Sequence, residues 1–305
     1  MIICDTHCDT LYNLQVHPGQ PLDVTMKRLK AGGVSVQTMA MYVGPGRKGC
    51  DVEALMAGML KHLDALKAAG WKQIDDPNEA KDGEVAIMLS MEGCEPFDKG
   101  LSVIEEYRRK GLRMAAVTWN HENSLAYPAM SGSKEGLKPY GVEAIKEMQR
   151  LGIAVDVSHL NEAGFYDIFN KTNMPPMASH SNCAAIVNHP RNLTDDQLRT
   201  MFKNGGYVGI NFWPTILGPD PDLDTIVDHV DHMYQLGGEG KVGFGSDFDG
   251  IERKPRGMEN PADFPKLIDA LRRRGFKEED VKDIAGLGLL KYYQRIKVQS
   301  QNALF

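Results

Sequence analysis

The sequence predicts an α/β protein folded as a (β/α)8 barrel of TIM type, with extra helices at its C-terminus. Three observations carry that expectation. Short apolar, β-branched runs alternate with amphipathic segments about eight times along the chain. Runs such as Ile153-Ala154-Val155-Asp156-Val157 suit strands covered on both faces, as in a parallel sheet. No linker or composition shift divides the 305 residues, so one barrel domain over residues 1–305 accounts for count and length together. An open doubly wound sheet would usually show a glycine fingerprint after its first strand, and there is none here.

The first strand is expected over residues 2–6, with a basic-faced helix near 24–30. The second, 34–43, precedes a helix over 51–69 in which Leu55, Met59, Leu63 and Leu66 recur at steps of three and four, the spacing of one buried face. Strand 85–91 leads to helix 101–110, strand 113–118 to helix 141–151, and strand 153–158 to helix 162–170. Strand 176–179 precedes a helix near 195–204, strand 207–212 a helix over 223–236, and strand 242–246 helices over 262–274 and 278–295. Gly111, Gly152 and Gly205-Gly206 fall between a helix and the next strand, where a left-handed cap is wanted. The Gly-, Ser- and Pro-rich connection over 120–138 reads as a functional loop after the fourth strand.

Composition excludes several function classes. Hydrophobic residues at 42% and charged residues at 25% are ordinary for a globular chain. Lys+Arg 35 against Asp+Glu 41 gives a net charge of −6, and no basic run exceeds Arg272-Arg273-Arg274, so neither nucleic acid nor an anionic membrane is an expected partner. Cys4, Cys8, Cys50, Cys94 and Cys183 are scattered without CxxC spacing, which predicts reduced thiols in a cytoplasmic protein. Met1 to His7 enters a strand at once, leaving no room for an export signal, and no run approaches the roughly 18 apolar residues of a membrane span.

A barrel of this kind places its chemistry at the C-terminal ends of the strands. His7 and Asp9 close the first strand, Glu92 follows the third, His159 ends the fifth, His180 the sixth and Asp247 the eighth. Each alone has an ordinary reading, such as a rim histidine, a helix-cap acid or the turn Ser246-Asp247-Phe248-Asp249-Gly250. Their coincidence at one rim points to a metal site. His7 and Asp9, at i and i+2, share one face of an extended backbone and can chelate one ion. Imidazoles with carboxylates and no thiolate suit zinc, with cobalt or manganese as substitutes, and the oxygens are too few for calcium. The donors exceed one catalytic zinc, and two ions sharing a carboxylate fit better. Such a pair, about 3.5–4 Å apart, would lower the pKa of a shared water and polarise a carbonyl.

His7-Cys8-Asp9, Glu92-Gly93, Asp156-Val157-Ser158-His159, Ser179-His180-Ser181 with Arg191-Asn192, and Gly245-Ser246-Asp247-Phe248-Asp249-Gly250 occur in this order. The ordered set resembles the membrane (renal) dipeptidase family of binuclear zinc peptidases, over roughly residues 1–250. The resemblance implies an amidohydrolase-like barrel, a small dipeptide substrate, two Zn2+ per chain and a homodimer. It implies that His7 and Asp9 bind one zinc, that His159 and His180 bind the other, and that Glu92 bridges them. It also gives Asp247 the acid/base role and makes Arg191 a clamp for the dipeptide's C-terminal carboxylate. One departure stands out. Animal members carry Thr-His after the fourth strand, with the His on the substrate, whereas this chain reads Thr118-Trp119-Asn120-His121. Asn120 could donate to the oxyanion, or His121 could swing in. Asn211-Phe212-Trp213, ending the seventh strand, is expected to line the pocket, with core packing nearly as good a reading for Phe212. Near the C-terminus, Gly288 stands where the family usually has Asn.

Two other classes of function compete. A deaminase or lactonase on the same barrel would typically show HxH on the first strand or a carbamylated lysine bridge, where this chain has HxD and Glu92. A non-catalytic binding protein on a decayed barrel would be expected to have lost a ligand, yet every candidate is present.

Overall fold

The computed structural model describes residues 1–44 and 51–302, so Cys50 lies outside the described residues. Nine parallel strands form its sheet: β1 (Ile3–Asp5), β2 (Val34–Tyr42), β3 (Lys72–Gln73), β4 (Ala86–Glu92), β5 (Leu112–Ala116), β6 (Ala154–Asp156), β7 (Met177–Ala178), β8 (Tyr207–Ile210) and β9 (Val242–Phe244). The hydrogen-bonded order β2-β1-β9-β8-β7-β6-β5-β4 is closed by β2 pairing with β4 from Val36↔Ala86 to Tyr42↔Glu92. This is a closed eight-stranded barrel. Each of its strands falls within, or one residue from, an expected run. The ninth, β3, is a two-residue strand added to the start of β4 at Lys72↔Ala86; its polar pair carried no strand signal.

Helices surround the barrel where amphipathic spacing put them, with ends set by local caps. Asp51 accepts from the Ala54 amide at the start of Val52–Ala68, and Thr194 forms a capping box with Gln197 ahead of Asp195–Lys203. The helix expected from 24 begins later, as Met26–Ala31, because the extended Thr25 caps it by accepting from Arg28 N. Thr10–Val16 and Pro214–Leu217 are short helices without a periodic signal, and both border the rim. The single helix expected over 278–295 is instead Glu278–Lys282, a wider π-type turn Asp283–Leu287, and Gly288–Asn302. That turn presses the chain against β1, where a Cβ on Gly286 would lie 2.9 Å from Cys4 Sγ and from Ile2 O.

The larger apolar cluster lies between the sheet and the helices and contains Phe212, Phe244, Phe248 and Phe264. Phe212 is therefore a core residue. A second cluster joins Cys4, Val36, Met88, Met114 and Tyr207 of the strands to Leu289, Tyr292, Tyr293 and Ile296 of the last helix. Tyr292 Oη donates to Pro175 O at 3.0 Å and Tyr293 Oη to Arg113 O at 3.3 Å, so this helix closes the N-terminal mouth of the barrel. Above that floor the interior is narrow. A Cβ on Gly209 would lie 2.2 Å from Ser179 O and one on Gly245 only 1.8 Å from it, while Thr6 Oγ1 donates to the same carbonyl at 2.6 Å. Packing thus fills the lower barrel and leaves the upper rim for polar side chains. Among the described residues no helix is long and apolar enough to cross a membrane.

Candidate metal centre

Two buried carboxylates hold the strand ends that carry the site. Asp5, the last residue of β1, accepts from Ser246 N at 2.8 Å, Ser246 Oγ at 2.5 Å and Gln37 Nε2 at 3.0 Å. It thereby ties β2 and the β9 turn to the strand end leading to His7. Asp156, ending β6, accepts from Ser158 N and Ser179 N, each at 2.9 Å, and from Ser179 Oγ. The β6 and β7 ends are joined in the same manner. His159 and Asp247 sit in the left-handed region, at φ 69° and 65°. Non-glycine residues adopt that region at a cost, which these carboxylate-held turns support.

The turns bring six side chains together. Glu92 spreads its carboxylate between two sets of nitrogen donors. Oε2 lies 3.7 Å from His7 Nε2, whereas Oε1 lies 3.0 Å from His159 Nε2 and 3.4 Å from His180 Nε2. His7 Nε2 is also 3.6 Å from Asp9 Oδ2 and 3.8 Å from Asp247 Oδ1. Donor atoms of His7, Glu92 and His180, and of His7, Asp9 and Asp247, converge closely enough to share an ion. A Cβ on Gly250 would lie 2.0 Å from Asp9 Oδ2 and 2.7 Å from Asp247 Oδ1, so the glycine lets these acids approach.

Three observations test whether these residues fit a metal. His7 Nε2 and Asp9 Oδ1 are buried without a hydrogen-bond partner, a costly state that a cation would relieve. His159 Nδ1 faces Asn120 Oδ1 at 2.8 Å, so the ring nitrogen donates. His180 Nδ1 lies 2.7 Å from Ser179 Oγ, whose own proton is directed to Asp156, so here too Nδ1 donates. Both Nε2 atoms then present lone pairs, only 3.1 Å apart. No proton is left to join them, and the rings have the tautomer of metal-ligating imidazoles backed by an acceptor. Finally, three carboxylates crowd His7: burial alone would lower its pKa, but Glu92, Asp9 and Asp247 outweigh it and push it up to about 10. The donor set fits a cation.

Other groups tune the surroundings. Burial holds Glu92 above the usual carboxylate range, with His7 opposing. Burial also pushes Asp247 up to about 6, although His7 opposes, Asp9 adds, and Asn211 Nδ2 donates to Oδ2 at 3.0 Å. Asn211 is itself fixed, its Oδ1 accepting from Trp213 N at 2.6 Å and its N donating to Asn182 Oδ1 at 2.9 Å. Asp249 accepts from Thr10 Oγ1 at 2.6 Å and Asp23 N at 2.5 Å, tying the residues after Asp9 to those after Asp247.

A cleft of about 810 Å³ opens over these groups, lined by Asp9, Glu92, Asn120, His159, Trp213 and Asp247 among others. Tyr42 and Trp119 form an aromatic wall with ring centroids 5.0 Å apart. Arg191 lies buried behind the rim, with Nη2 donating to His180 O at 3.3 Å and Nε unpartnered. Burial lowers its pKa to about 10, so it stays cationic at neutral pH. Arg191 does not reach the cleft lining, and His121 is not brought in either. It is exposed outside the cleft lining, its ring 5.5 Å from Trp119, because Asn120 takes the inward place after β5. Asp5, Ser179 and Tyr42 were not singled out as site residues in the sequence. Only the Asp156 and Ser179 motifs beside the histidines hinted at such support.

The family model of membrane dipeptidases, peptidase family M19, matches residues 1–303. An uncharacterized dipeptidase of Schizosaccharomyces pombe is 34% identical over 335 aligned positions, covering 97% of this chain and 80% of that protein. A metallopeptidase of Rhodobacter sphaeroides, solved with a phosphinate mimic of the dipeptide L-Ala-D-Ala, superposes with a TM-score of 0.88 at 25% identity, covering 97% of this chain and 99% of that one. A solved M19 metallopeptidase described as dipeptidase AC gives a TM-score of 0.86 at 26% identity, covering 97% and 98%.

Proposed function

The chain belongs to the membrane dipeptidase family, peptidase family M19, and from that premise we propose that it hydrolyses the peptide bond of dipeptides with two zinc ions per chain. His7 and Asp9 would hold one ion and His159 and His180 the other, with Glu92 shared between the two. The observation that carries this reading is the divided carboxylate of Glu92, with Oε2 toward His7 and Oε1 toward the His159 and His180 pair. When bound, the ions would polarise the scissile carbonyl and acidify a water. Cobalt or manganese would substitute through the same nitrogen and oxygen donors.

The protein's own groups supply the rest. Asp247, open to the cleft and held by Asn211, accepts the proton of the attacking water and delivers it to the leaving amine, which otherwise would depart as an amide anion. Asn120 and Ser179 hold the two imidazoles in their Nδ1–H tautomers. Arg191 stays charged in its buried position and offers its guanidinium to the substrate's terminal carboxylate. The L-Ala-D-Ala mimic held by the Rhodobacter relative supports including D-residues among the substrates. The four described cysteines are free and buried, which supports the cytoplasmic reading; the homodimer rests on family resemblance.

A panel of L-Xaa-L-Xaa and L-Xaa-D-Xaa dipeptides, assayed after zinc reconstitution and again with chelator, tests the reading. Chelator-sensitive cleavage with about two equivalents of zinc per chain is expected. No cleavage of any dipeptide, or well under two equivalents bound, overturns it.

A further inference from the structure

Arg253 stands apart from the cations around it. Lys254 pairs with Asp23 at 2.6 Å, and Arg256 with Asp220 at 2.7 Å and Asp222 at 3.4 Å. Arg253 is exposed and, among the described residues, makes no ion pair or hydrogen bond. It lines both the main cleft and a smaller recess of about 340 Å³ that adjoins it. The recess is walled by Val187, Pro214, Thr215, Gly218 and Pro219. Its Asp220 is already engaged by Arg256, which leaves Arg253 as its uncompensated charge. The neighbouring Glu252 also lacks an ion pair, but it lines the cleft and not the recess.

Position relates the recess to one half of a dipeptide. The recess is built from the connections after β7, β8 and β9. Those same connections carry Arg191, Asn211 and Asp247, the groups assigned to the terminal carboxylate and the leaving amine. Both belong to the C-terminal residue of the substrate. The Tyr42 and Trp119 wall, at the end of β2 and after β5, comes from other strands. We infer that the recess receives the side chain of the C-terminal residue and that Arg253 selects an acidic one there, making dipeptides ending in Asp or Glu the preferred substrate class. A guanidinium offers paired donors to a carboxylate, so an acidic side chain entering the recess meets a cation with no competing partner. The inference rests on the dipeptidase reading above.

The test compares kcat/KM for Ala-Glu against Ala-Gln, nearly isosteric substrates that differ in side-chain charge, with the second residue in both L and D forms and Ala-Ala alongside. A preference for Glu over Gln on the order of tenfold is expected in at least one series. Arg253→Met should bring the ratio to near one, and Arg253→Lys should keep a preference of the same sign. Glu252→Gln should leave the ratio in place. Cleavage of Ala-Ala with no Glu preference in either series, or a preference that survives Arg253→Met, overturns the assignment of Arg253 alone. Cleavage of none of these dipeptides overturns the dipeptidase reading and this inference with it.

Discussion

The two halves of the candidate metal centre hold their imidazoles by different means. At the ends of β6 and β7, His159 and His180 are fixed from behind, through Asn120 and through the Ser179–Asp156 pair. Burial keeps both rings neutral, below the usual histidine range. At the ends of β1 and β9, His7 turns an Nε2 without a hydrogen-bond partner toward Asp9, Glu92 and Asp247, which surround it. One half is a pair of oriented neutral imidazoles. The other is a knot of negative charge, and it holds the acid facing the cleft. Orientation suits holding an ion, while charge beside the cleft suits moving a proton.

Removing the link between the halves should have the largest effect. Glu92→Ala deletes both carboxylate arms, so zinc by elemental analysis should fall well below two equivalents per chain and turnover to the background of a protein-free control. Full zinc content with retained turnover would break the comparison. Asp247→Asn comes next, because it removes the proposed proton carrier while leaving the histidines and Glu92 intact. Zinc content should hold while kcat drops by about 10²–10⁴. Retained turnover would exclude Asp247 from proton transfer. Ser179→Ala should act on the oriented half only, freeing His180 to rotate and weakening one of two zinc equivalents by roughly 10–100-fold in a chelator competition titration. Equal weakening of both equivalents would show that the halves are not separable in this way.

How much of this was legible in the sequence depended on the range of the signal. The eight barrel strands were readable because each is a local apolar run whose pattern survives without its neighbours. Candidate ligands were readable because the barrel sends every strand end to one rim. What holds them was not. Asp5 reaches Ser246 across 241 residues, and Asp156 reaches Ser179 across 23, so neither acid advertises its partner locally. Within an apolar run an aspartate looks like a lapse in the pattern, and only the closed sheet makes it a clasp. The Thr10–Val16 helix and the π-type turn at Asp283–Leu287 were missed for a related reason: tertiary packing, not periodicity, sets them.

The segment after β5 gives the smallest expected effect and shows where a one-residue register matters. In Trp119-Asn120-His121 the sequence left two candidates for the place next to the substrate. A histidine has the more versatile chemistry, since it can both donate and carry a proton. The backbone nevertheless turns Asn120 inward to His159 and leaves His121 on the surface against Trp119. Moving His121 into the cleft would require the loop to give up the Asn120 contact that fixes His159, so the two roles exclude each other. His121→Ala should therefore change kcat/KM by less than about twofold, as for most surface substitutions. Asn120→Ala, by contrast, should weaken zinc at the oriented half as Ser179→Ala does. A tenfold loss from His121→Ala with normal zinc content would mean that the loop rearranges on substrate binding and that the oriented half is less fixed than its hydrogen bonds imply.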